Sequence, residues 1–390
     1  MLSLFIVCVI DILGFGILIP LVPYMAHRFG ASPELITPIL GAYSLCQLGA
    51  APFWGRLSDR YGRRPILMSS LAGACISYVM LGFADSLWWL LASRVLAGFM
   101  AGNLSAAFAY ASDISTSENR AKALGTVGAA IGVGFMFGPA IGGILAGNDE
   151  RTANFALPAA VSACLSVLAI ALVFFMLPES HTAEHRTKHT DEPRKNPLRL
   201  LSERPTLRLL TSAGFLVTCS QSILESIFAI WAFNRFGFGP RTVGVVLFSL
   251  ALIPVAMQGG LVRVLAPRFG EARLAVCAIL AYVTGFVIVG YSSHLPLALI
   301  GLAFCGVGSG LFNPTASALA SRQATSRDRG AVMGTYQSGS SLARALIPFV
   351  SGALYAGVGP SAPFLAGACL TLPAAWLIWN SQRAARTIAS

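Results

Sequence analysis

Residues 55–65 read GRLSDRYGRRP, a short polar stretch between two long apolar ones. Asp59 stands among four arginines, and the glycines on either side of it permit a tight turn. Residues 263–270 repeat the pattern in weaker form as RVLAPRFG. A bias of positive charge toward one side of a membrane would explain the arginines but not their spacing. The stretch therefore predicts a specific turn between two membrane-spanning helices.

The composition of the 390 residues supports a membrane protein. Only 11% of them are charged, 55% are hydrophobic, and the mean hydropathy is +0.71. A soluble globular protein carries about 25% charged residues, so a large soluble enzyme is excluded. A disordered chain is excluded as well, because such chains are polar and rich in charge. At about 20 apolar residues per helical span, the length allows roughly a dozen spans.

Apolar stretches of spanning length alternate with polar, Gly or Pro breaks along the whole chain. They form two sets of six, which predicts an all-α membrane protein with twelve transmembrane helices in two pseudo-symmetric six-helix bundles. The predicted spans are residues 2–25, 37–57, 66–84, 87–111, 122–146, 155–177, 207–233, 241–262, 273–291, 295–319, 331–356 and 362–381.

The positions of lysine and arginine predict which side of the membrane each loop faces. Of the 27 such residues, twenty-one lie in loops after even-numbered spans, in the central linker or in the C-terminal tail. Four lie in loops on the opposite side, and two lie inside spans. Both termini and the linker are therefore expected in the cytoplasm. The net charge of +11 is mostly this topology signal, so no nucleic acid partner is needed to explain it.

The second half of the chain repeats the first, which predicts an N-terminal bundle (1–177), a cytoplasmic linker (178–205) and a C-terminal bundle (206–390). Duplicated six-helix units are typical of transporters, whose binding site lies between the halves near the membrane midplane. The matching stretches are 27–30 (HRFG) with 234–237 (NRFG), 60–62 (RYG) with 268–270 (RFG), 116–120 (TSENR) with 325–329 (TSRDR), and Pro139 with Pro348.

Ionisable residues within spans are few, and each is a functional candidate because a charge in the membrane is unfavourable. Each half has one acid and one arginine: Asp11 and Arg94 in the first, Glu225 and Arg344 in the second. Asp11 and Arg94 are expected at depths that permit direct pairing or a bridge through one water. We expect these four residues to couple transport to protons. The alternative is a pair of purely structural intramembrane ion pairs.

Residues 55–65 resemble the signature loop between helices two and three of the major facilitator superfamily, and the resemblance extends over the whole chain. It implies a loop that holds the cytoplasmic side closed, with Asp113 as its acidic partner; the alternative for Asp113 is a simple charge at a helix end. The loop residues concerned are Gly55, Asp59, Arg60, Gly62, Arg63 and Arg64.

Residues 134–143 (GFMFGPAIGG) look like the antiporter motif of drug:proton exporters within that superfamily. Export is therefore expected over import. Glycine and proline at these positions let a helix bend and approach its neighbour closely. The motif residues are Gly134, Gly138, Pro139, Gly142 and Gly143.

Within that group the chain most resembles the tetracycline exporters, in residues 11–20 (DILGFGILIP) and 45–52 (LCQLGAAP). Those exporters carry acids in helices three and nine and a histidine in helix eight. Here the best-matching positions are Ser77, Tyr282 and Pro254, which puts tetracycline in doubt and favours a lipophilic substrate, cationic or zwitterionic at most.

Uncharged polar residues at mid-span depth are candidates to line the substrate cavity, although hydrogen bonding between helices is an equal alternative. They are Gln47, Asn103, Gln221, Asn313, Tyr336 and Gln337.

The resemblance implies alternating access, coupled to antibiotic resistance, by a monomer in the cell's inner membrane. The proton is the coupling ion, and no bound cofactor is expected. Two rival functions stay open, a proton-coupled metabolite importer and a membrane-embedded enzyme, as does a sensor built on a transporter fold. An enzyme would need a catalytic set at membrane depth, and no histidine falls clearly inside a span.

Two residue types raise the question of a metal. The eight cysteines all fall in apolar stretches without a CxxC pair, which favours small buried side chains. His181, His185 and His189 stand four residues apart in the linker, a spacing possible for ligands on one helix face. The sequence around them has the polar composition of a solvated linker, so no metal site is predicted.

Overall fold

The computed structural model describes residues 1–116, 119–180, 197–325 and 328–389, without the side chains of residues 121, 259, 329 and 384–389. These residues form helices joined by short connections, and no strand occurs among them. The helices of the first half are α1 (Leu2–Leu18), α2 (Leu21–Arg28), α3 (Pro33–Tyr61), α4 (Arg63–Gly82), α5 (Leu87–Met100), α6 (Asn103–Asp113), α7 (Arg120–Ala146) and α8 (Ala156–Met176). Those of the second half are α9 (Pro197–Glu203), α10 (Pro205–Phe236), α11 (Pro240–Ala256), α12 (Val262–Phe269), α13 (Glu271–Tyr291), α14 (Leu295–Ser321), α15 (Arg329–Gly357) and α16 (Ala362–Ala389).

The predicted fold class is confirmed: this is an all-α membrane protein, and each predicted span is helical. The first, fourth and eighth spans each consist of two helices, and α9 lies in the predicted linker. Within the described residues, ten stretches are long and apolar enough to cross a membrane on their own. The predicted eighth and eleventh spans are helical but fall outside that group. The eighth is divided by a π-helical turn (Met257–Leu261) between α11 and α12. The eleventh, α15, contains Arg344 and many glycines and serines, which lower its hydropathy.

By their contacts, the described residues form two compact units whose boundaries differ from the sequence repeat. The first unit comprises Met1–Glu192 and also Ala232–Phe248; the second comprises Pro193–Trp231 and Ser249–Ser390. The predicted boundaries of the functional domains stay a prediction. Within the first unit, the segment Ala232–Phe248 packs on α7 because glycines let the two backbones touch. A Cβ atom at Gly143 would lie 2.5 Å from the carbonyl oxygen of Pro240.

The other side of α7 packs equally closely on α1. A Cβ atom at Gly138 would lie 2.7 Å from the Cα of Gly16, and one at Gly142 would lie 1.9 Å from the carbonyl oxygen of Ile17. Helices in a membrane gain little from hydrophobic association, so close backbone packing of small residues is a main source of their attraction. The antiporter-like motif is therefore a two-sided packing surface in the first unit.

In the second unit, buried hydroxyl groups join α10 to α15 and α16. The hydroxyls of Ser226 and Ser351 are 2.9 Å apart, and Thr371 donates to Ser220 over 2.7 Å. Such bonds between helices stabilise membrane bundles by up to about 1–2 kcal/mol each.

The glycine packing leads to a stability prediction with an internal control. Gly142→Ala should lower the free energy of unfolding by about 1–3 kcal/mol, the usual effect of overpacking, because backbone must move to admit the methyl group. Gly128→Ala, on the same helix, meets no atom within 4 Å and should not destabilise the protein. Thermal unfolding of both variants in detergent measures the difference. Equal melting temperatures for the two would contradict the packing role.

Candidate functional site

The fourth span is broken between α5 and α6, in the interior of the first unit. α5 ends at Met100 and α6 begins at Asn103. The indole of Trp54 fills the space at the break, since a Cβ atom at Gly102 would lie 2.5 Å from its ring. The same indole donates a hydrogen bond of 2.5 Å to the carbonyl of Phe99. Trp54 thus supports the interruption by satisfying a backbone oxygen near it.

The break directs the side chain of Asn103 toward Asp11 on α1. The Asn103 side-chain amide donates a hydrogen bond to Oδ2 of Asp11, a carboxyl that is 8% exposed. The backbone N–H of Leu104 donates to Oδ1 of Asn103 over 2.9 Å. Because that oxygen is the acceptor, the amide nitrogen is the end that faces Asp11.

Arg94 lies on α5 and is 3% exposed. Its Nε donates a long hydrogen bond of 3.5 Å to Ser93, while its Nη2 has no partner among the described residues. Both Tyr43 and Tyr78 interact electrostatically with Arg94 and with Asp11. No ion pair joins Asp11 to Arg94 in the part of the chain that the structure describes; the other predicted arrangement, a bridge through one water, stays a prediction. The break places Asn103 against the carboxylate instead.

In the second unit, the acid and the arginine interact with each other. Glu225 on α10 accepts a hydrogen bond of 3.0 Å from Gln221, one turn earlier, and Arg344 on α15 interacts with it electrostatically. Each acid thus accepts a hydrogen bond from an amide, on another helix for Asp11 and on its own helix for Glu225. The roles of all four residues in proton coupling stay predictions.

The other polar candidates for a substrate cavity lie in varied surroundings. Gln47 donates to the Tyr43 hydroxyl over 3.5 Å. Tyr336 is 6% exposed and packs on α10, where a Cβ atom at Gly214 would lie 2.8 Å from its ring. Asn313 and Gln337 are exposed. Of the six candidates, Asn103 and Gln221 are the two bonded to intramembrane acids, and the lining of a cavity by any of them stays a prediction.

In the arginine loop (residues 55–65), Arg63 is the central residue. Its Nε donates to Asp113 over 3.0 Å, and its Nη1 donates to Asp59 over 2.7 Å and to Ser58 over 3.0 Å. Its side chain is only 10% exposed, so these are partly buried, charge-assisted bonds of the stronger kind. They tie the end of α3 and the start of α4 to the end of α6.

The remaining residues of the loop shape the turn or lie at its edge. Gly62 has φ +106°, which disfavours any other residue there. Arg60 stacks over Tyr61, and Arg64 over Phe174, with 5.4 and 5.2 Å from guanidinium carbon to ring centre. Gly55 lies in the last turns of α3 with open space around it. A role of the loop in closing the cytoplasmic side stays a prediction.

Sequence reasoning missed Glu179, which follows α8. Its two carboxylate oxygens accept hydrogen bonds from the backbone N–H groups of Arg63 and Arg64, over 2.8 and 3.2 Å. A carboxylate at this place complements the positive end of the α4 dipole. The sequence signal for this contact was weak, because Glu179 is an acid directly after a span and lies 116 residues from Arg63.

A second ion pair that the sequence did not reveal lies in the second unit. Arg204, before α10, donates to Oδ2 of Asp328 and, over 2.7 Å, to the carbonyl of Gln323. Oδ1 of Asp328 accepts two bonds of 2.8 Å from the backbone and hydroxyl of Thr325. Burial by itself favours the neutral acid, but the bonds from Thr325 and Arg204 outweigh it and lower the pKa of Asp328 to about 2.

Metal-ligating side chains do not cluster in the described ranges, where no group of three or more His, Cys, Asp or Glu residues could hold an ion. His181, His185 and His189 lie outside the described residues. The expectations of no metal and no bound cofactor stay predictions.

A repeated sequence and acids within spanning helices are typical of membrane transporters. The profile of the Major Facilitator Superfamily matches residues 4–267 and 210–390, and the chain belongs to that superfamily. It is therefore a multi-pass membrane transporter that binds small molecules, and not an enzyme.

Relatives of established identity cover almost all of the chain. It is 30% identical to the tetracycline resistance protein, class G, of Vibrio anguillarum, over 93% of each chain. It is 28% identical to multidrug resistance protein 2 of Bacillus subtilis, over 88% of this chain and 85% of that one. The crystal structure of the human organic anion transporter MFSD10 superimposes with a TM-score of 0.72 at 24% identity, over 96% of this chain and 98% of that one.

The carboxylate of Glu179 leads to a prediction about α4. Glu179→Gln keeps the shape but removes the charge at the helix N-terminus, so the free energy of unfolding should fall by about 0.3–1 kcal/mol, and by up to about 2 in this partly buried geometry. Glu203→Gln removes a surface partner of Arg199 and should change it by less than about 0.5 kcal/mol. Thermal unfolding in detergent compares them, and a larger loss for Glu203→Gln would refute the assignment.

The lowered pKa of Asp328 leads to a pH prediction. A carboxyl whose pKa is lower in the folded protein stabilises it above the unfolded value of about 3.9, and this stabilisation is lost as pH falls toward the folded value. The melting temperature of wild type should therefore exceed that of Asp328→Asn at neutral pH, and the gap should narrow between about pH 4 and pH 2. A gap that stays constant down to the acid limit would exclude ionised Asp328 as its cause.

Proposed function

We propose that the protein is a proton-coupled antiporter that exports lipophilic small molecules by alternating access. The observation that carries this proposal is the placement of one acid inside each unit, held by a neighbouring amide. Asp11 accepts a bond from Asn103, and Glu225 accepts one from Gln221. A carboxyl at membrane depth, with an arginine in the same unit, can exchange a proton when its surroundings change.

The direction of transport is proposed from the glycine-rich surface of α7 and from the relatives. Residues 134–143 match the antiporter motif, and in this chain they pack α7 on α1 and on Ala232–Phe248. Tetracycline resistance and multidrug resistance proteins are among the relatives. Import of a metabolite is the alternative, and the direction of accumulation separates the two.

The proposed substrate is amphiphilic and lipophilic rather than a metal-chelated tetracycline. Ser77 is fully buried and donates to the carbonyl of Ala74 in its own helix, over 2.7 Å. Tyr282 is 1% exposed and stacks on Phe286 with 5.9 Å between ring centres. Pro254 cannot donate or accept through its side chain. These positions offer no charged partner to a metal chelate.

The excess of Lys and Arg on one side supports an inner (plasma) membrane location with both termini in the cytoplasm. A single chain contains both halves of the duplicated architecture, which supports function as a monomer without a bound cofactor.

Replacing the proposed proton carrier tests the function. Asp11→Asn should abolish drug efflux in an efflux-deficient host, because the amide cannot release a proton, while the variant still reaches the membrane. Asp85→Asn, in an exposed loop, is the matched control and should retain efflux. A susceptibility panel of lipophilic antibiotics and dyes gives the readout. Efflux by Asp11→Asn equal to that of wild type would refute the assignment.

Vesicles test the direction. In inverted vesicles energised by a proton gradient, an exporter should accumulate a probe such as ethidium or tetracycline, and an importer should not. Accumulation only in vesicles of native orientation would favour the importer.

A further inference from the structure

We propose that Asn103 is the substrate-sensing residue of the first unit: a hydrogen-bond acceptor on the substrate takes the amide N–H that Asp11 now accepts, and the freed carboxylate then pairs with Arg94. This inference rests on the proposed function and names the step by which substrate binding expels the proton. The ligand it requires carries a carbonyl, phenolate or similar acceptor oxygen beside its lipophilic body.

The first support is the place of Asn103 at the break in the fourth span. Spanning segments that are interrupted at membrane depth are the usual sites of ligand contact in transporters. Trp54 holds the break open by occupying the space at Gly102 and bonding the carbonyl of Phe99. Asn103 is half-buried, so its amide is more accessible than the carboxyl of Asp11 behind it.

The second support is the donor left without a partner. Nη2 of Arg94 is buried and has no hydrogen-bond acceptor among the described residues. A buried, unsatisfied donor on a charged group is unfavourable. Asp11 is the acid that shares its electrostatic neighbours Tyr43 and Tyr78. Arg94 would therefore be a stronger partner for the Asp11 carboxylate than Asn103 is. The hydrogen bond from Asn103 keeps the carboxylate away from Arg94.

Among the described residues, no second acid interacts with Asp11. Cys8 on its own helix, Tyr43 on α3 and Tyr78 on α4 interact with it electrostatically. Arg94 on α5 interacts with the same two tyrosines. α7 and α8 approach α1 through Gly134 and Ser162, neither of which is ionisable. Within the described residues, the charge state of Asp11 is thus governed by the choice between an amide and a guanidinium.

The choice of partner for Asp11 determines whether substrate binding leads to release or uptake of the proton. The Asn103 amide can donate to a neutral or an ionised Asp11, whereas contact with Arg94 favours the ionised form strongly. When substrate takes the Asn103 N–H, Asp11 moves to Arg94 and its O–H bond breaks. The proton passes to water and the electron pair stays on the carboxylate. Substrate binding and proton release are then one event, as exchange requires.

The test measures the Asp11 carboxyl by infrared titration of the purified, reconstituted protein, with the band assigned by Asp11→Asn. In Asn103→Ala, Asp11 should pair with Arg94 without substrate, and its titration midpoint should shift to lower pH by about one unit or more. Loss of the Asn103 bond alone would shift the midpoint to higher pH. The sign of the shift therefore distinguishes pairing with Arg94 from simple loss of the Asn103 bond. A shift to higher pH, or no shift, overturns the proposal.

Three further variants secure the interpretation. Asn103→Ala combined with Arg94→Gln should lose the acid shift, because the alternative partner is gone; retention of the shift would count against the proposal. Ser105→Ala removes a bond of 2.8 Å to Gly102 at the same break and should leave the midpoint unchanged. If Asn103→Ala fails to fold, Asn103→Leu fills the same space without an amide and should give the same acid shift.

A measurement of proton release on substrate addition separates this inference from the proposed function. Addition of metal-free tetracycline, which carries carbonyl and phenolic oxygens, to weakly buffered wild type should release protons, and Asn103→Ala should release fewer because its Asp11 is already ionised. Equal release by both proteins would overturn the inference. If vesicles do not transport this probe while the acid shift is present, the proposed substrate class is at fault and the switch at Asp11 stands.

Discussion

Hydrocarbon offers no hydrogen-bond partner, so the backbone groups within a span of this chain must find theirs inside the protein. The fourth span shows the consequence most clearly. Its helix stops and restarts, and the break is possible because Trp54 occupies the space at Gly102 and satisfies a carbonyl near it. Once the break exists, Asn103 meets the carboxylate of Asp11. The candidate site of the first unit thus depends on one aromatic side chain filling one gap.

The same constraint explains why polar contacts and close glycine packing occur together. Helices that attract one another weakly in lipid are joined where small residues allow backbones to touch and where hydroxyl or charged groups bond across them. α7 uses glycines on two sides, and the second unit uses buried serines and threonines. Outside the spans, Arg63 and Arg204 each join segments distant in sequence through ion pairs, with Asp113 and with the buried Asp328.

The asymmetry between the units is a product of tertiary structure. The sequence repeat suggests the same acid–arginine pairing in both halves, but Asp11 accepts its hydrogen bond from Asn103 in another span, whereas Glu225 accepts one from Gln221 on its own helix. No local sequence pattern predicts the partner of Asp11, because that partner depends on where the fourth span breaks. Glu179 and Asp328 escaped prediction for a similar reason: each meets its partner across more than a hundred residues of chain.

The sequence by itself determined the class of fold and the number of spans, since both follow from the length and composition of apolar stretches. It also identified the superfamily, through the spacing of charges in residues 55–65, and it singled out the intramembrane acids by their rarity. Only the tertiary structure decided what those acids touch, which glycines bring backbones together, and that Ala232–Phe248 packs with the first unit. The physical reason is range: hydropathy is a local property of the chain, whereas hydrogen bonds and backbone contacts between helices depend on how distant segments pack.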